Sequence, residues 1–77
     1  MTSIITYDQM KNSYKEFKNN LPKDNFMRYY KEFTFMKSLI EFTKRQGLED
    51  DVFEYQKIQQ ESAQELRNMG YKVTIEE

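Results

Sequence analysis

The side chains that could do chemistry in this chain are carboxylates, tyrosines and lysines, because the sequence contains no His and no Cys. That removes the commonest general base, the thiol nucleophile and the thiolate metal ligand. The tightest acidic group is Asp50, Asp51 and Glu54. Three acids so close could contribute to a Mg²⁺ site, but such sites usually lean on substrate phosphates as well. The same acids also fill the first turn of an expected helix, where the macrodipole favours negative charge, and that role accounts for them without a metal. Glu61 and Glu65 are one helical turn apart and, with Gln60 and Gln64, read as a solvated polar face. Gly47 and Gly70 stand alone as helix stops rather than in a phosphate-cradling loop. No nucleophile–base pair is spaced for covalent catalysis. The expectation is a protein that is not an enzyme and carries neither cofactor nor metal.

Seventy-seven residues make one small domain, 1–77. A chain of this size buries a modest fraction of its surface and often needs a staple. Without Cys or His there is no disulfide and no ordinary zinc site. The aromatic share of 16% is one form of compensation, since each Phe or Tyr buries a large apolar area. Oligomerisation is another, and a homodimer is expected. The apolar content and a net charge of −1 exclude a disordered chain. "MTSIITYDQ" lacks the basic start and apolar run of a secretory signal, so a cytoplasmic location is expected. The abundance of Asn, Lys, Ile, Tyr and Phe matches AT-rich codons and suggests a bacterial or bacteriophage genome, and the small size and lack of chemistry fit a bacteriophage or mobile-element protein.

The net charge hides an asymmetry. Residues 1–46 carry nine Lys/Arg against five Asp/Glu, and residues 47–77 carry three against eight. The halves can attract each other within one fold. Alternatively the basic half offers a nucleic-acid face built from Lys11, Lys15, Lys18, Arg28 and Lys31, with Tyr14, Tyr29 or Tyr30 to stack on bases. The third helix argues against a helix-turn-helix reader, because acids follow its "RQG" turn.

These residues must be positioned by few elements. "TSIITY" (residues 2–7) is β-branched and aromatic and predicts a short strand or extended arm. Thr6 and Gln9 form a capping-box pattern, with Asp8 as a competing cap. Tyr7, Met10, Tyr14, Phe17 and Leu21 then recur at helical spacing. Pro22 breaks the chain, with Asn19 and Asn20 suited to a helix end. Asp24 can cap a second helix from Asn25 to Gln46, closed by Gly47. A third helix opens at "LEDD", carries Leu48, Val52, Tyr55, Ile58, Ser62, Leu66 and Met69, and stops at Gly70. Its middle is thin, with Gln59, Ser62 and Ala63 in place of large apolar groups. "YKVTIEE" alternates like a half-buried strand. The predicted architecture is mostly α, a three-helix compact domain with short β-strands at the two termini, in the order β-α-α-α-β.

The central helix is unusually apolar. Phe26, Tyr29, Tyr30, Phe33, Met36 and Ile40 share a sector of about 120° and are expected in the core. Phe35, Leu39 and Phe42 form a second stripe roughly opposite, flanked by Arg28, Lys31 and Glu32. Either the other helices cover both stripes, or the second faces outward and binds a partner, with Phe53 as a further spare apolar residue. The functional expectation is a non-enzymatic protein–protein interaction module, a small adaptor or inhibitor that docks on a host protein through Phe35, Leu39, Phe42 and Phe53. The alternative is a small nucleic-acid-binding regulator.

Overall fold

The structure, a computed structural model, describes residues 6–47 and 49–75. Three helices account for most of them: α1 (Tyr7–Asn19), α2 (Asn25–Gln46) and α3 (Glu49–Asn68). The local signals set their ends. Thr6 and Gln9 close the capping box: the Gln9 N–H donates to Thr6 Oγ1 at 3.2 Å and the Thr6 N–H to Gln9 Oε1 at 2.9 Å. Asp24 caps α2 by accepting the Met27 N–H. Gly47 ends α2 in the left-handed region at φ 73°, which costs glycine little and other residues more. Helical spacing in the sequence continues to Leu21, but α1 stops at Asn19, ahead of Pro22, and Leu21 is exposed.

α2 and α3 form an antiparallel hairpin. Glu32 meets Ser62 near its middle and Phe26 meets Tyr71 at its open end. Ser62 and Ala63 are fully buried and Gln59 nearly so. The thin middle of the α3 stripe is therefore its contact face, where small side chains let the helices approach closely. α1 packs across the hairpin. Tyr7, Tyr14, Met36 and Leu39 form the central buried cluster, with Met10, Phe17, Phe35, Phe42, Tyr55 and Ile58 packed around it. Phe35 lies 5.7 Å from the Tyr14 ring and 5.3 Å from the Phe17 ring. Such spacings are favourable for offset aromatic pairs.

At about 100° per residue, the two apolar stripes of α2 merge into one arc of about 200°. Phe35 and Phe42 lie on one flank, and Phe26, Tyr29, Phe33 and Ile40 on the other. Between them fall Met36, Leu39 and Thr43, all fully buried. Thr43 satisfies its hydroxyl within its own helix, donating to the Leu39 or Ile40 carbonyl, both at 2.9 Å.

After α3, Gly70 takes φ 98° and the chain turns back along the hairpin. The Tyr71 N–H donates to the Leu66 carbonyl at 3.1 Å. Arg67 donates from Nε and Nη2 to the Val73 carbonyl at 3.0 and 2.8 Å. Thr74 and Ile75 reach Phe33, Lys37 and Gln59, and together these line an open cleft of about 220 Å³. Val73 and Ile75 are half-buried while Lys72 and Thr74 are exposed. The period-two alternation is thus used against a helix pair. No strand occurs among the described residues. The strand expected at 2–7 lies, for residues 2–5, outside them, while Tyr7 begins α1 and is buried. No helix is long and apolar enough to cross a membrane among the described residues.

Leu39→Ala removes a fully buried side chain and is expected to cost about 2–5 kcal/mol in urea unfolding. Phe53→Ser, at an exposed site, is expected to change stability by about 0.5 kcal/mol or less. Equal effects would contradict the packing described.

Candidate interaction surface

Among the described residues, one polar connection reaches all three helices, and it is centred on Glu32. Its Oε1 accepts the Ser62 hydroxyl of α3 at 2.7 Å. Its Oε2 lies 3.5 Å from the Tyr14 hydroxyl of α1, a weaker bond. The sequence shows Glu32 only as a residue flanking the second apolar stripe, because helical periodicity does not reveal polar partners on other helices. Its half-buried position follows from Ser62 and Tyr14, two partners distant in sequence. At the far end of α1, the Tyr7 hydroxyl meets that of Tyr55 at 3.3 Å and Asp51 Oδ2 at 3.5 Å. Asp51, one of the acids weighed above for a metal, thus faces a tyrosine.

Both buried tyrosines are held in the neutral form. Burial is the main cause at each, with Tyr55 and then Asp51 adding to it at Tyr7, and Glu32 adding at Tyr14. Their folded pKa values lie above the ordinary tyrosine value of about 10. Folding therefore holds these protons more tightly than the unfolded chain does.

The side chains expected to bind a partner separate by environment. Leu39 is 0% exposed. Phe35 and Phe42 are half-buried against the α1 cluster. The stripe that these three form is covered within the chain, because α1 crosses α2 on that flank. Phe53 is different, at 73% exposed. The expected core sector of α2 also divides. Met36 and Ile40 are buried, whereas Tyr30, at the edge of the sector, is 48% exposed.

A grouping that periodicity does not reveal lies at one end of the molecule. Among the described residues, the exposed large apolar side chains are Leu21, Met27, Tyr30, Phe53, Met69 and Tyr71. All but Phe53 belong to the α1–α2 connection, the start of α2 or the chain just past α3, which the antiparallel hairpin brings to the same end. Phe26 stacks on Tyr30 at 5.6 Å and meets Tyr71 at 4.6 Å, so it holds the two exposed rings in a short ladder. The sequence signal available was weak: Tyr30 at a sector edge, and a tyrosine directly after a helix-stop glycine.

The basic residues do not converge with these rings. The Lys11 and Lys18 ammonium groups lie over the Tyr7 and Tyr14 rings, at 5.2 and 5.5 Å. Lys15 is exposed on the same flank of α1. Arg28 lies 5.4 Å from the Tyr29 ring, which is half-buried. Tyr14, one of the stacking candidates, is buried. Lys31 is exposed on α2, on the flank away from Tyr30. Compared with known protein families, characterised proteins and solved structures, the chain matches none of them.

Two measurements check this geometry. Glu32→Ala strands the buried Ser62 hydroxyl and is expected to cost about 1–3 kcal/mol, part of which Ser62→Ala restores in the double variant. Full additivity would show that the two side chains do not interact. For pH, the tyrosine contribution is complete below about 10 and is lost as pH rises beyond it toward the raised folded values. The urea midpoint is expected to fall between about pH 9.5 and pH 11.5, and to fall less in the Tyr7→Phe, Tyr14→Phe variant. An unchanged slope in that variant would assign the loss to other groups.

Proposed function

We propose that this chain is a non-enzymatic protein–protein interaction module, a small adaptor or inhibitor that works inside the cell by occupying a surface of a host protein. The observation that carries the reading is the gathering of exposed apolar side chains at the end that holds Tyr30 and Tyr71. A contiguous apolar patch on a small domain costs solubility and is characteristic of interfaces. Tyrosine is enriched at such sites, since a large flat ring makes contact while its hydroxyl stays wet. Self-association is a separate part of the proposal. It rests on the small size of the chain and on Phe53, which lies near the other end of α3, where a second copy can cover it.

The test is affinity capture from a lysate of the source cell, after nuclease treatment. A protein retained in near-stoichiometric amount by the wild type is expected. A complex that disappears with nuclease would overturn the reading in favour of nucleic acid, as would tight, salt-sensitive binding of single-stranded RNA or DNA. Light scattering after size exclusion is expected to show a dimer for the wild type and a monomer for Phe53→Asp. A monomeric wild type sinks the homodimer.

A further inference from the structure

We infer that the partner of the Tyr30–Tyr71 end is an acidic protein segment carrying apolar side chains, seated across the Tyr30–Phe26–Tyr71 ladder. This rests on the interaction-module reading and names the chemistry and place of its contact. The argument begins with charge. From Lys18 to Lys31 and from Glu65 to Lys72 the chain carries six Lys/Arg against two Asp/Glu. The whole protein is net −1, so positive charge is concentrated at the end where the apolar side chains are exposed. Lys23, two residues from Leu21, and Lys72, next to Tyr71, are exposed there, while Lys18, Arg28 and Lys31 are exposed at the same end but turned away from the rings. Complementary charge around an apolar centre is the usual arrangement of a protein interface and speeds encounter.

The same charge disfavours a second copy. A two-fold contact would place this cationic end against itself, and like charges facing each other across an interface are costly. The mixture of side chains favours protein over nucleic acid. Stacking on bases needs flat rings, and two are present. Leu21, Met27 and Met69 have no such use, while flexible aliphatic and thioether side chains adapt well to apolar groups of a peptide.

The rings are also pre-placed. Tyr71 is fixed by its N–H bond to the Leu66 carbonyl, by the Phe26 ring at 4.6 Å and by the Arg67 fork on the next turn of chain at Val73. Tyr30 lies on α2 one turn from Phe26. Little side-chain freedom is lost when a partner covers rings already held in place.

The probe is a pair of synthetic helical peptides with Leu and Phe at the same positions, one with Glu and one with Gln on the polar face. Backbone amide shifts of the full chain are followed by NMR. Binding of the Glu peptide is expected, with shifts grouped at residues 21–31 and 67–73. Affinity is expected to fall at least about tenfold in Tyr30→Ala, Tyr71→Ala and again in Lys23→Glu, Lys72→Glu. Circular dichroism establishes that each variant remains helical, and Lys23→Glu, Lys72→Glu serves alone should the tyrosine pair unfold. Equal binding of the Gln peptide overturns the acidic partner. Shifts elsewhere, or tighter binding of single-stranded RNA at the same residues, overturn the proposal as well. If the captured host protein is retained by Tyr30→Ala, Tyr71→Ala, the inference fails while the interaction-module reading stands. If no protein is captured at all, both fail.

Discussion

α2 carries an apolar arc of about 200°, and one neighbouring helix cannot cover it. The rest of the architecture answers that constraint. α3 takes one flank, α1 crosses the other, and the chain beyond Gly70 folds onto what α3 leaves open near Phe26 and Phe33. The α2 residues buried deepest, Met36, Leu39 and Thr43, lie along the midline of that arc. A 77-residue chain without Cys or His obtains its core by wrapping one greasy helix rather than by joining three equal ones.

Glu32 shares that midline and gives it direction. Apolar packing is tolerant of small slips, whereas a carboxylate that must accept from Ser62, and can reach Tyr14, sets one register of α3 and one placement of α1 against α2. Ser62 is fully buried against that carboxylate, and the Tyr14 pKa, raised mainly by burial, is raised further by Glu32. Polar groups used in this way contribute to uniqueness of the fold more than to its net stability.

The same wrapping shapes the surface. Where α1 and α3 meet α2, aromatic side chains are consumed internally. At the hairpin's open end the covering is a short, non-helical segment, and it leaves Tyr30 and Tyr71 half out of the protein. The apolar surface most available to a partner is therefore the place where the chain runs out of helix to cover it. Lys23 of the α1–α2 connection and Lys72 are exposed at the same end, where apolar and electrostatic attraction can act together.

The helices were legible from the sequence because their signals are local. The Thr6–Gln9 box, the Asp24 cap, Pro22 and Gly47 act within one or two turns, and each helix forms where those signals allow. So was the abundance of apolar surface on α2. What periodicity could not decide is which flank stays open, since that depends on where a second element comes to rest. Leu39 reads as part of a spare stripe and lies at the centre of the core. Tyr30 reads as core and is half exposed. Glu32 reads as a flank of the second stripe and bridges to two helices. The alternation of residues 71–75 states that one side is buried without saying against what. Capping and helical spacing are properties of neighbours along the chain, and the sequence alone determined them. Burial, the Glu32 connection and the exposed aromatic end join residues about 20 to 45 positions apart, and only tertiary packing decided those.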